Sequence, residues 1–203
     1  MKNIPDVILN LLIFLVTAVL VAGFARKDGK WSPERWKKAF RYFTCQSNVL
    51  CAAAALLTAV SAASGEIPEW VWILKYAGTA AVTVTMLTVF LFLAPMVGKD
   101  WAKVLLTGTP VDFFMHLVTP LAALFTFCIP EKRGMTFPQA LSGMLPVILY
   151  GALYLHKVLR VPEDRRWEDF YGFNKGGKWK ISLAAMGAGT FLVCMALMVL
   201  QNA

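Results

Sequence analysis

The hydrophobic pattern of this 203-residue chain consists of six long apolar stretches separated by short polar segments. Each stretch approaches the roughly 20 residues that a helix needs to cross a bilayer. The predicted helices cover residues 7–24, 42–63, 71–95, 109–129, 138–159 and 180–200. Because neither a repeat nor a low-complexity linker divides them, we expect one domain over residues 1–203. The predicted fold class is an all-α polytopic membrane protein, a six-transmembrane-helix bundle.

A cationic and aromatic segment precedes the second stretch. Residues 32–34, Ser-Pro-Glu, are typical of a helix start, with a capping side chain, an early proline and an acid in the first turn. Trp36, Phe40 and Phe43 then recur at helical spacing, which predicts an amphipathic helix in the membrane interface. No helix breaker follows before Gly65, so we expect this helix to continue directly into the second membrane helix.

Composition supports a membrane location. The chain is 58% hydrophobic and 16% charged, with a mean hydropathy of +0.60, values outside those of ordinary soluble domains. The net charge of +8 is concentrated in a few loops, so we predict membrane lipids as partners and no nucleic acid. The four cysteines form no Cys-x-x-Cys pair, which predicts neither a disulfide framework nor a zinc site. We predict no metal and no other cofactor.

The distribution of positive residues predicts the orientation of the chain. The loops after the first, third and fifth predicted helices carry sixteen Lys and Arg residues, whereas the opposite side has four: Lys2, Lys75, Lys132 and Arg133. Cytoplasmic loops are the more positive ones. We therefore predict a multi-pass protein of the cell membrane with both termini outside.

Polar side chains follow one face of the second predicted helix. Thr44, Ser47, Asn48, Cys51 and Thr58 share this stripe at helical spacing. A lipid-facing surface has no use for such groups, so the stripe should face other helices or a water-filled cavity. Hydrogen bonding between helices is the simpler of these two interpretations.

His116 is the one ionisable residue that the pattern places well inside a membrane helix, which by default indicates a functional site. Asp112, one turn earlier, either orients the ring or simply interacts with the helix N-terminus. Pro120 cannot donate to the His116 carbonyl, so the helix should be kinked there. Counted along the helices, Thr44 and His116 differ in depth by only roughly 6 Å. Both should therefore lie near the cytoplasmic leaflet.

These residue types suit acyl transfer. A threonine hydroxyl is a weak nucleophile unless a base accepts its proton, and an imidazole can do so near neutral pH. Thr44 and His116 are therefore candidates for the catalytic pair, and Ser47 or Asn48 for donors to the oxyanion. A site beneath the headgroups would receive a lipid ester from the bilayer and water from the cytoplasm. We predict hydrolysis of lipid esters through a threonyl-acyl intermediate.

Four motifs carry a family resemblance over nearly the whole chain. They are FTCQSN at residues 43–48, VFLFLAP at 89–95, MHLVTP at 115–120 and DFYGF at 169–173. In this order and spacing the chain resembles the androgen-induced protein (ADTRP-like) family of six-helix intramembrane threonine hydrolases. The resemblance implies cleavage of fatty acid esters of hydroxy fatty acids, with Thr44 as nucleophile and His116 as its essential partner. The asparagine after the threonine is shifted by one residue from the animal pattern.

Two other functions use the same residues. His116 and His156 could serve as axial ligands of one haem in an electron carrier. Alternatively, the polar stripe could line the passage of a transporter or a non-catalytic lipid-binding protein, with Pro95, Pro120 and Pro146 allowing helix movement. The pattern places no acidic residue deep in a helix, which counts against a proton-coupled carrier.

Overall fold

The computed structural model of the protein describes residues 4–93 and 110–203. Its helices are α1 (Ile4–Phe24), α2 (Pro33–Ala39), α3 (Phe43–Ser64), α4 (Glu69–Thr88), α5 (Pro110–Phe113), α6 (Thr119–Cys128), α7 (Phe137–Ser142), α8 (Leu145–Leu155) and α9 (Trp179–Asn202). Turns of π-helix lie at Val89–Leu93, Phe114–Val118 and His156–Arg160, and 3-10 turns at Glu163–Arg165 and Lys175–Gly177. A small antiparallel hairpin, β1 (Arg26–Lys27) and β2 (Lys30–Trp31), follows α1.

The helical segments long and apolar enough to cross a membrane number five within the described residues: Ile4–Phe24, Phe43–Ser64, Glu69–Phe92, Phe137–Arg160 and Trp179–Asn202. A further apolar helix, Phe114–Cys128, is shorter and directly follows α5. The predicted all-α polytopic membrane fold is confirmed. The predicted end of the third helix at residues 94–95, the loop cations Lys99 and Lys103 and the predicted cap Thr109 lie outside the described residues.

Helix α4 lies at the centre of the described bundle. It packs against α3, α6, α8 and α9, and most of its residues are buried. Helix α1 packs against α3 and also contacts α6. The buried side chains where α1, α3, α4 and α6 meet are small or branched: Ile13, Cys51, Ala55, Val82 and Ala123. Small residues let helix backbones approach closely in a membrane.

The expected continuous helix through the interfacial segment is wrong, because the chain breaks between α2 and α3. Tyr42 adopts an extended conformation at φ −92° and ψ 136°. Side chains replace the helical hydrogen bonds that are lost there. Gln46 Nε2 donates to the Phe40 carbonyl at 2.7 Å, and the Tyr150 hydroxyl donates to the Arg41 carbonyl at 2.7 Å. Tertiary contacts therefore override the helical preference of this segment, and α3 gains a new N-terminus.

Gly78 sets the distance between α3 and α4. A Cβ atom on Gly78 would lie 2.8 Å from the Cys51 Cα atom, a backbone contact that cannot give way locally. We expect Gly78→Ala to lower the free energy of unfolding by about 1–3 kcal/mol through overpacking, measured by titrating the protein in detergent micelles with sodium dodecyl sulfate. Gly23→Ala is the matched control, since nothing lies within 4 Å of that position. Equal stability of the two variants would contradict the proposed close contact.

A buried ionic cluster joins α1, α4 and the turn after α6. The charge distribution counts Lys75 on the outer side, near the start of the third predicted helix, and the structure buries it completely in α4. Lys75 Nζ donates to Asn10 Oδ1 and lies 3.6 Å from Glu131 Oε1. Asn10 Nδ2 in turn donates to Glu131 Oε1 at 2.7 Å and to Asp6 Oδ1 at 3.0 Å. His116 is therefore not the one ionisable residue inside a membrane helix, because Lys75 is buried within α4. Asp6 and Glu131 are buried as well, but Asp6 lies in the first turn of α1 and Glu131 in the turn after α6, so neither lies deep in a helix.

Candidate active site

Thr44 and His116 meet at the cytoplasm-proximal ends that the sequence predicts for their helices. Thr44 lies in the first turn of α3, and His116 lies in the π turn that joins α5 to α6. The Thr44 Oγ1 atom is 3.2 Å from His116 Nε2, although the residues are 72 positions apart in the chain. Both side chains are half-buried. The predicted juxtaposition is present, at a distance suited to proton transfer.

A π turn at Phe114–Val118 lies beside His116, where the sequence predicts a kink. Pro120 has no amide hydrogen and cannot close the usual helical bond. The amide of Thr119 instead donates to the Phe114 carbonyl, five residues back. Such wide turns inside helices occur frequently at functional sites. Here the turn carries the imidazole that faces Thr44.

Asp112 acts on the His116 ring through its charge. It precedes His116 by four residues, and its carboxylate is close enough to affect the ring electrostatically. His116 Nε2 faces the Thr44 hydroxyl, so a base at this position needs the Nε2 lone pair and the ring hydrogen on Nδ1. The orienting role of Asp112 stays a prediction.

Ser47 and Asn48 form hydrogen bonds next to the Thr44–His116 pair. Both are buried. The Ser47 hydroxyl is 3.2 Å from the Thr44 carbonyl and 2.9 Å from Thr85 Oγ1. Asn48 Nδ2 donates to the Thr44 carbonyl at 2.9 Å and to the Met115 carbonyl at 3.1 Å. Since these contacts occupy their donors, the geometry does not favour oxyanion stabilisation by either residue and instead gives both a positioning role.

The rest of the polar stripe also points inward. Cys51 and Thr58 are buried like Ser47 and Asn48. This agrees with the prediction that polar groups of the stripe avoid lipid. Thr44 differs because its half-buried side chain borders a cavity. The stripe therefore combines helix packing along most of its length with an accessible hydroxyl at one end.

Tyr171 belongs to the DFYGF motif, but the sequence analysis does not predict it as a site residue. Its hydroxyl accepts the amide hydrogen of Phe43 at 3.0 Å, at the start of α3. Asp169 holds the surrounding loop, since its carboxylate accepts hydrogen bonds from the amides of Phe173 and Asn174 at 2.9 and 2.7 Å. The Tyr154 hydroxyl adds a bond of 2.8 Å to Asp169. The sequence signal that could have predicted this loop is an aspartate, Asp169, shortly before a Tyr-Gly turn, because aspartate side chains often bind the backbone amides of such turns.

An apolar cavity begins at Thr44 and continues along the flank of the bundle. The inner part, about 80 Å³, is bordered by Thr44, Tyr171 and residues of α4, α8 and α9. An outer groove of about 790 Å³ between α4 and α9 shares Thr88, Tyr171 and Met186 with it. Large apolar side chains are exposed along this groove: Leu91, Phe92, Ile181 and Leu192. Exposed apolar side chains of this kind are suited to contact with lipid.

The second histidine, His156, does not border the inner cavity at Thr44. His156 is exposed at the start of the π turn that ends α8, and His116 directs Nε2 at Thr44. Within residues 4–93 and 110–203, no group of three or more His, Cys, Asp or Glu side chains is arranged to hold a metal ion. This arrangement gives no geometric support to the haem interpretation.

Comparison of the chain with models of protein families, with curated proteins and with solved structures finds no match. Function must therefore be inferred from the site itself. A hydroxyl with an imidazole in hydrogen-bond reach and an adjoining apolar cavity is equipped for attack on an acyl carbonyl.

Proposed function

We propose that the protein is an intramembrane hydrolase of lipid esters, with Thr44 as nucleophile and His116 as general base. The observation that carries this proposal is the 3.2 Å contact between Thr44 Oγ1 and His116 Nε2 at the inner end of an apolar cavity. The resemblance to the androgen-induced protein family supports it and suggests a fatty acid ester of a hydroxy fatty acid as substrate.

The reaction would proceed in two acyl transfers. Thr44 Oγ1 attacks the ester carbonyl carbon while its proton passes to His116 Nε2, and the carbonyl electron pair moves to oxygen. The intermediate collapses, the bond to the leaving alkoxide breaks, and His116 returns the proton to that alkoxide. Water then attacks the threonyl ester with His116 again as base. Fatty acid is released and the Thr44 hydroxyl is restored.

The shape of the cavity supports a substrate with a long apolar chain. Along α9 the outer groove extends from Ile181 to Ala196, which corresponds to roughly 22 Å at the helical rise. The acyl chain would lie in this groove with its carbonyl at Thr44. With both termini outside, as the charge distribution predicts, this site would lie in the cytoplasmic leaflet.

Transport is the second candidate, and the buried ionic cluster favours it over the haem carrier. Asp6 and Glu131 supply the buried acids that many proton-coupled carriers use. However, Lys75 precedes Thr85 by ten residues in α4, and Thr85 contacts Ser47 beside the site. The cluster therefore lies roughly 15 Å along α4 from the Thr44 cavity. This separation leaves the hydrolase as the better account of Thr44 and His116.

Covalent labelling tests the proposed nucleophile. We expect an alkyl fluorophosphonate to modify the purified protein at Thr44, identified by mass spectrometry of the adduct. Thr44→Ala should abolish labelling, because no other hydroxyl there has an aligned base. Thr88→Ala is the matched control, since Thr88 borders the same cavity and should not be needed. Labelling that persists in folded Thr44→Ala would refute the proposal.

A further inference from the structure

We propose that the Tyr171 hydroxyl is a catalytic residue that donates a hydrogen bond to the oxyanion formed when Thr44 attacks its substrate. This inference rests on the proposed hydrolase function and adds a residue to it. It assigns a chemical role to a loop 127 residues after Thr44, a loop that the function does not otherwise use.

The position of Tyr171 supports the role. Tyr171 and Thr44 border the same inner cavity, and the phenol binds the backbone of the residue directly before Thr44. The Phe43 amide donates to the phenolic oxygen at 3.0 Å. A tyrosine hydroxyl that accepts this bond still has one hydrogen of its own to donate. A substrate carbonyl held at Thr44 would lie within the reach of that hydrogen.

The loop holds the phenol in place before any substrate binds. The backbone amide of Tyr171 donates to the Tyr154 hydroxyl at 3.1 Å, and that hydroxyl donates to Asp169. The ring also packs against Tyr150, Phe170 and other aromatic side chains of one cluster. Donors that are fixed before the reaction stabilise a developing charge without a reorganisation cost.

The break before α3 supplies additional donors beside the phenol. Helix N-termini leave their first amide hydrogens without helical partners. In the described part of the chain, the amide of Phe43 bonds to Tyr171, while those of Thr44 and Cys45 donate to no backbone carbonyl. An oxyanion near the phenol would therefore also meet amide hydrogens of this first turn.

The proposed step keeps its charges balanced. As the bond from Thr44 Oγ1 to the carbonyl carbon forms, the proton goes to His116 and one electron pair becomes localised on the carbonyl oxygen. Tyr171 shares its hydrogen with that oxygen but does not transfer it. When the carbonyl double bond re-forms, the leaving group departs and the hydrogen bond weakens. Burial raises the pKa of Tyr171, so the phenol keeps its hydrogen at neutral pH.

The test compares variants that change the hydrogen bond without emptying the site. We expect Tyr171→Phe to lower kcat for a long-chain ester by about 10²–10³-fold, the loss typical of one oxyanion donor, with little change in KM. Tyr76→Phe is the control for loss of a buried phenol hydroxyl, since that hydroxyl donates to the Ala140 carbonyl and Tyr76 borders neither part of the cavity. It should retain kcat within a few-fold.

A second measurement separates donation from helix capping. Replacing Tyr171 by 3-fluorotyrosine makes the phenol a stronger donor and a weaker acceptor of the Phe43 amide. We expect kcat to rise above the parent value, whereas a merely structural cap would lower or preserve it. Unchanged kcat in folded Tyr171→Phe overturns the inference while the hydrolase proposal stands. If Thr44→Ala also keeps full activity, the hydrolase proposal itself is refuted, and the proposed role of Tyr171 is refuted with it.

Discussion

Ester hydrolysis should fall by about 10³-fold in kcat/KM when His116 is replaced by glutamine. Glutamine can still form a hydrogen bond with Thr44 but cannot take up its proton, and general bases typically contribute 10²–10⁴-fold. The loss therefore measures proton acceptance rather than positioning. Release of fatty acid from a long-chain ester, followed in detergent micelles with purified protein, provides the measurement.

His156→Gln is the matched control for this substitution. It changes the other histidine of the chain, which is exposed and far along the sequence from the Thr44 contact. We expect its kcat/KM to equal that of the parent protein. If the two glutamine variants retain similar activity, His116 is not the base, whatever its distance from Thr44.

The largest expected effect on stability comes from Lys75→Met. This change leaves the buried Glu131 carboxylate without the cation 3.6 Å away and Asn10 Oδ1 without its donor. Breaking a buried ion pair on one side typically costs about 3–5 kcal/mol, and we expect a loss of that size in the free energy of unfolding. Unfolding by sodium dodecyl sulfate in mixed micelles, followed by circular dichroism, measures it.

Two further variants show whether the charge itself is responsible. Lys132→Met removes an exposed cation next to Glu131 and should change stability by less than about 0.5 kcal/mol. Lys75→Met combined with Glu131→Gln should recover much of the loss, because the second change removes an uncompensated carboxylate. A Lys75→Met protein as stable as the parent would show that the cluster contributes nothing to the bundle.

The membrane helices could be predicted because hydropathy alone decides which stretches remain in a bilayer. The meeting of Thr44 and His116 was also predictable in outline, since helix direction and rise fix the depth of a residue. Depth does not fix which sides of two helices face each other. In the structure, Asn48 joins the two facing sides, because its side-chain amide donates to both the Thr44 and the Met115 carbonyls.

The missed features depend on contacts between distant segments. Lys75 lies near the start of α4 and resembles a flanking cation, and only Asn10 and Glu131 reveal its buried environment. The break at Tyr42 has no proline or glycine to announce it. It depends instead on Tyr150 and Tyr171, which bind the backbone on either side of it. The local sequence preference of a segment does not reveal hydrogen-bond partners that lie far away in the chain.

Under the proposed function, the groove between α4 and α9 would give a substrate dissolved in the bilayer a lateral route to Thr44. Its effective concentration would be its mole fraction among the surrounding lipids, not its amount per volume of water. Diluting the ester with inert phospholipid at a fixed total ester content should then slow turnover. The turnover rate would then depend on the lipid composition of the membrane around the protein.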